Sequence, residues 1–184
     1  MTASFELQIT RQHWLGEPDD QSHDACSHGG IRAVISGTVV TSDETEYGVS
    51  QSALALLRTL ERDHSPGDRV NDGYLLCHGC GYPIVFGCGN FGTDWVVHHE
   101  GEEVVLSQPR HIDSVTSKDF DIQVRVRKAD YRRQVVSFAQ AARAFYLSVG
   151  PRSVQDWEQH MHDQFWAEFD ERLNRANAAA VNET

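Results

Sequence analysis

The chain has 184 residues, 40% hydrophobic and 23% charged, with 27 acidic against 16 basic side chains and a net charge of −11. That length and composition fit a single domain over 1–184, and exclude both a wholly disordered chain and one too small to fold without disulfides or metal. No run of ~18 or more apolar residues exists, so a helical membrane span is excluded, and the acidic balance argues against nucleic-acid and anionic-lipid partners.

Phe5, Leu7 and Ile9 alternate with polar residues and predict a first strand. His13 to Gly30 is polar, with Glu17-Pro-Asp-Asp20 and Gly29-Gly30, and reads as a long loop. The β-branched run Ile31–Val40 predicts a strand, and Thr41–Glu46 an acidic turn. Ser50 is positioned to cap a helix through Leu54, Leu57 and Leu60 that ends at Asp63-His-Ser-Pro-Gly67. Short strands are expected at Tyr74–Cys77 and Tyr82–Phe86, then a hairpin of Asp94–His99 and Glu102–Leu106 turning at Glu100-Gly101. Pro109–Lys118 reads as a loop. Phe120, Ile122, Val124 and Val126 give the cleanest strand alternation in the chain.

Two helices follow. Tyr131, Val135, Phe138, Ala142 and Phe145 form one apolar stripe, and Gly150-Pro151 breaks it. Ser153–Asp156 resembles a capping box, and Val154, Trp157, Met161, Phe165 and Phe169 form the second stripe. The tail 174–184 is expected to fray. Strands first and helices last predict an α+β fold: an antiparallel or mixed sheet of about five to seven strands, one mid-chain helix, and two long C-terminal helices on one face.

The start of the chain has neither a basic region nor an apolar run, so a cytoplasmic protein is expected, with its four cysteines as thiols or metal ligands. Three of them fall in Leu76–His99, which holds several overlapping motifs. Gly87-x-Gly89-x-x-Gly92 matches the dinucleotide fingerprint, but a strand-like segment follows where that fingerprint needs a helix. Cys77-x-x-Cys80 has zinc-knuckle spacing, with Cys88 as a third ligand and Cys26, His28, His98 or His99 as the fourth. As a redox pair, Cys77 and Cys80 lack a following helix N-terminus to stabilise a thiolate. A small enzyme using Cys88, His98 and Asp94 is a further alternative, since Asp94 and His98 share one side of a regular strand. The ten histidines are otherwise scattered, and the basic cluster Arg125, Arg127, Lys128, Arg132 and Arg133 reads as an internal charge partner or a solvated face, not a nucleic-acid site.

The block from Cys77-His-Gly-Cys-Gly81 to Gly92-Thr-Asp-Trp-x-Val97, followed by Phe138–Tyr146, resembles small bacterial immunity-type proteins over about residues 70–170. Such proteins partner the toxic domains of contact-dependent or polymorphic-toxin systems. The resemblance implies a non-catalytic protein that binds a cognate toxin, and it assigns no residue a role. Charge placement is compatible with a basic partner. Residues 1–60 hold 8 acids and 3 bases, residues 61–120 hold 10 and 4, and residues 121–184 hold 9 of each. The interface candidates are Glu17, Asp19, Asp20 and Asp24, then Asp43, Glu44 and Glu46, then Glu100, Glu102 and Glu103.

Overall fold

The alternation at Phe5, Leu7 and Ile9 produces a strand. In the computed structural model, which describes residues 4–16, 24–66, 74–78, 88–113, 115–149 and 152–181, β1 (Phe5–Ile9) is followed by a short β2 (His28–Gly29). β1 pairs antiparallel with β3 (Ile31–Ile35), setting Leu7 opposite Ala33. The apolar run predicted as one strand over Ile31–Val40 is instead a hairpin. β3 turns at Ser36 and Gly37 into β4 (Thr38–Val39). Both turn residues have positive φ, 52° and 79°, which is what a two-residue hairpin turn requires if its twist is to match the strands.

The larger sheet adds β5 (Tyr47–Gly48), β6 (Leu76–His78), β7 (Cys88–Glu100), β8 (Glu103–Asp113), β9 (Thr116–Asp119) and β10 (Gln123–Arg127). Its order is β10-β8-β7-β6-β5-β2, with β9 also on β8. Every pairing among the described residues is antiparallel. The hairpin of β7 and β8 is longer than its apolar pattern predicts, and the expected loop Pro109–Lys118 is largely strand. Proline is tolerated there because β8 is irregular: Gln108 has φ 51°, and the register with β7 slips between Asp94 and Val96. Pro109 therefore lacks an N–H where the ladder is already interrupted. The predicted strand Tyr82–Phe86 lies outside the described residues.

Among the described residues three helices cover the sheets: α1 (Val49–Arg58), α2 (Lys128–Leu147) and α3 (Asp156–Val181). α1 begins after Gly48, so Ser50 does not cap it. Ser50 is the second residue of the helix, and its hydroxyl accepts from the Ser27 amide at 3.2 Å. α3 is entered at Gln155, whose carbonyl accepts from the amides of Glu158 and Gln159 at 2.8 and 3.1 Å, not at Ser153. Its buried stripe runs through Phe165, Trp166, Phe169, Leu173 and Ala176, while Trp157 is 59% exposed. The stripe keeps the chain helical well past Asn174, where the sequence predicts fraying.

The helices and both sheets share one core. Phe5 of β1 lies 5.9 Å from the Trp95 ring of β7 and 5.0 Å from the Tyr131 ring of α2. Tyr131 is fully buried, and its hydroxyl shares a 2.8 Å hydrogen bond with Thr59 just beyond α1. Burial of this ring pushes its ionisation well above the ordinary tyrosine range. The mid-chain helix, the two C-terminal helices and the antiparallel sheet match the α+β expectation. No helix is long and apolar enough to cross a membrane among the described residues.

Candidate functional site

Two buried clusters pair an aspartate with a histidine, and neither follows from the Cys-x-x-Cys spacing. The first lies in the segment leading into β2, which sequence polarity assigned to a loop. Residues on both sides fix this segment through backbone hydrogen bonds. On one side, His13 and His28 exchange two bonds of 2.9 Å, and Thr10 N donates to the Gly30 carbonyl. On the other, Val49 N donates to the Ser27 carbonyl at 2.8 Å. Gly29 permits the close approach, because a Cβ there would fall on the Arg11 carbonyl.

Side chains two apart along such a segment project to one side, and a bend at Cys26 draws them together. Asp24 Oδ1 lies 3.2 Å from His28 Nε2, and Cys26 Sγ lies 3.5 Å from the same nitrogen. The three donor atoms all fall within 4.8 Å of one another. Asp24 also accepts from the amides of Leu15, at 2.8 Å, and Cys26, at 3.3 Å. Cys26 and His28 have no exposure, and Asp24 has 7%.

Tyr146, from the far end of α2, lies within the field of Cys26 and belongs to an aromatic group shared with α3. Trp14 stacks on Phe145 at 5.3 Å, and the Arg152 guanidinium lies 3.3 Å above its ring. Tyr146 meets the edge of Trp14 and shares a 2.7 Å hydrogen bond with His162. Burial pushes the Tyr146 hydroxyl up and the Arg152 guanidinium down. Arg152 also lies within the field of Asp24.

This geometry argues against a nucleophilic thiol. In a nucleophile–histidine–carboxylate relay the carboxylate orients the ring from the nitrogen opposite the nucleophile. Here Asp24 and Cys26 meet the same nitrogen, and the thiol has no exposure to a substrate.

The second cluster holds elements far apart in sequence. His64, in the turn after α1, pairs with Val97 through backbone bonds of 2.8 and 2.9 Å. Its Nε2 meets Asp94 Oδ1 at 2.7 Å, with both side chains 1% exposed. Asp94 Oδ1 accepts as well from the amides of Leu75 and Trp95, at 3.3 and 3.1 Å. One carboxylate thus joins the end of α1, β6 and β7. Nearby, Tyr47, Thr93 and His111 form a chain of side-chain hydrogen bonds of 3.0 and 2.9 Å. Partial burial lowers the basicity of His111.

These placements revise the sequence-level sites. Asp94 and His98 do not act together: the register slip after Asp94 leaves Asp94 buried and His98 exposed, with His98 paired to Asp63 at 2.5 Å. Cys77 is buried opposite Gly92, about 20 Å along β7 from His98 at strand spacing. His98 therefore cannot join Cys77 on one metal. Cys80 lies outside the described residues, as does the Cys88 side chain. Gly89 and Gly92 belong to β7 itself and lead into no helix.

The acidic candidates separate into several groups. Glu17, Asp19 and Asp20 lie outside the described residues. Asp24 is buried in the first cluster and presents no surface. Glu46 pairs with Arg11 at 2.8 Å, while Glu100 and Glu103 share Arg125 at 2.5 and 3.4 Å. Asp43, Glu44 and Glu102 are exposed and form no ion pair among the described residues. Asp43 and Glu44 lie near Thr93 and His111, because Thr45 reaches His111 at 3.4 Å. Glu102 lies at the opposite end of the β7–β8 hairpin, roughly 25 Å away at strand spacing. The basic cluster is largely paired: Arg127 and Arg133 share Asp130 at 2.6 and 2.7 Å.

Compared with protein-family models, curated proteins and solved structures, the chain matches none of them.

Proposed function

We propose that this protein is a non-catalytic immunity-type protein that binds and neutralises a cognate toxin domain of basic character. The observation that carries the reading is the net charge of −11 together with the exposed carboxylates Asp43, Glu44 and Glu102, which form no ion pair among the described residues. Long-range attraction from such groups raises the association rate with a basic protein and weakens as salt is added. The buried state of Cys26, Cys77, His64 and Asp94 supports a binding role over a catalytic one, because none of them is presented to a substrate. The division of the acids between two ends of one hairpin favours a partner broad enough to span roughly 25 Å, which suits a protein better than a small molecule.

The test is co-expression with the toxic domain encoded beside this chain, read as restored growth and as a stable complex on purification. Failure of the wild-type protein to restore growth or to bind removes the proposal. The charge argument is tested separately with Asp43→Asn, Glu44→Gln and Glu102→Gln combined. The triple variant is expected to associate about tenfold more slowly at low salt and to lose most of that difference at high salt. Association indifferent to both changes would leave binding without its electrostatic basis.

A further inference from the structure

We infer that Asp24, Cys26 and His28 form a zinc site of three protein ligands, independent of any toxin partner and distinct from the Cys-x-x-Cys motif. Four features of the molecule carry this.

The first is the donor set. Imidazole nitrogen, thiolate sulfur and carboxylate oxygen are the three ligand types that zinc takes from proteins, and thiolate with imidazole disfavours the hard cations magnesium and calcium. The second is spacing. Typical zinc–nitrogen, zinc–sulfur and zinc–oxygen bond lengths on a tetrahedron set the nitrogen–sulfur edge at about 3.6 Å and the nitrogen–oxygen edge at about 3.4 Å. The corresponding separations here are 3.5 Å from His28 Nε2 to Cys26 Sγ and 3.2 Å from His28 Nε2 to Asp24 Oδ1. A small outward movement therefore admits the ion.

The third is competition for one nitrogen. Nε2 has a single in-plane direction for a hydrogen bond, yet both Asp24 and Cys26 approach it. A cation at the centre replaces those two competing contacts with three bonds and neutralises the carboxylate and thiolate together. The fourth is rigidity. β5 and the start of α1 hold the ligand segment on one side, and residues 10–13 hold it on the other, so the donors are positioned before any ion arrives. The His28 ring is fully buried, and its Nδ1 has no hydrogen-bond partner among the described residues. Imidazole orientation is thus fixed by packing and by the Nε2 contacts.

Three protein ligands leave one tetrahedral position for water or an outside donor. The charges facing the site are those of Asp24 and Arg152, with the Tyr146 hydroxyl also near. A thiolate, a carboxylate and a divalent ion sum to zero charge, so loading leaves the ligand set with no net charge. With the ligand set neutral, the open position suits a water.

The full chain, stripped with chelator and returned to chelator-free buffer, is titrated with zinc alone and with cobalt alone. The wild-type protein is expected to take up near-stoichiometric zinc and to show a thiolate-to-cobalt charge-transfer band. X-ray absorption of the zinc-loaded protein is expected to show one sulfur with nitrogen or oxygen neighbours. Cys26→Ser should abolish the cobalt band and weaken zinc binding by roughly 100-fold or more. Cys77→Ser should keep the band. Sub-stoichiometric zinc with no cobalt band in the wild-type protein overturns the site, and so does a sulfur-rich shell of three or more, which would assign the ion to Cys77 and its neighbours. The two wild-type measurements decide the question even if Cys26→Ser does not fold.

Discussion

The two buried aspartate–histidine clusters use the same residue types for different ends. Asp94 and His64 are 30 residues apart in sequence, meet at 2.7 Å, and bring α1, β6 and β7 together with the help of two backbone amides on the same oxygen. Asp24 and His28 are four apart, meet at 3.2 Å, and join no distant elements to each other. What the local cluster has instead is a third donor, Cys26, aimed at the same nitrogen. A long-range pair with its backbone donors gathered on the carboxylate is a clamp. A local set of convergent donors, held from outside by strand pairing, is a ligand shell. Sequence separation and the direction of the third contact distinguish them, whereas burial does not.

The largest effect should come from breaking the clamp. Asp94→Ala removes the partner of a buried histidine and the acceptor for Leu75 N and Trp95 N, and should cost about 3–5 kcal/mol in urea unfolding. Exchange protection should fall first in β6 and in the turn around His64. Asp24→Asn should cost less, about 1–2 kcal/mol in chelator, because an amide oxygen still accepts from a backbone N–H and no distant element is released. Zinc should sharpen the contrast: it stabilises the wild-type protein by mass action but leaves Asp24→Asn nearly unchanged. Equal losses for the two variants in chelator would break the distinction drawn here.

This difference also explains what was legible in the sequence. The α+β class, β1, β10 and α2 follow from apolar periodicity, because burial on one face imposes a period that single residues display, and the β7–β8 turn follows from Glu100-Gly101. The clamp is invisible at that level. His64 lies in a segment that reads only as a helix stop, and the register slip that buries Asp94 depends on Gln108 and Pro109 of the opposing strand. The metal-type cluster did carry a signal. Asp24-x-Cys26-x-His28 places three donors at strand spacing, but spacing by two means convergence only once the segment is extended, and a polar stretch with Gly29-Gly30 reads as loop. Asp24 consequently looked like one more surface acid. Its burial could not be inferred, because its surroundings include Leu15, whose amide it accepts from, and Arg152, which lies 128 positions away in the chain.

A half-exposed carboxylate provides the lower end of the same scale. Glu168 of α3 accepts from Arg58 at 2.8 and 2.7 Å and from Arg172 at 2.8 Å, tying α3 to α1. Hydrogen bonding by Arg58 holds its carboxyl down, at about 2 against an ordinary 4.5. The folded carboxyl is the stronger acid, so folding is favoured when the group is ionised. The contribution is fully present above pH 4.5 and is lost as the pH falls through about 2. Its side chain is 32% exposed and that of Arg58 26%, so solvent screening reduces the worth of the pair to about 1 kcal/mol. Glu168→Gln should therefore lower stability only slightly at neutral pH and flatten the acid limb of the stability curve between pH 4.5 and 2. Asp94→Ala should lower the whole curve by a larger amount at neutral pH. If Glu168→Gln were the more damaging of the two, the helix pairing, and not the buried aspartate of β7, would be what holds the sheet to its cover.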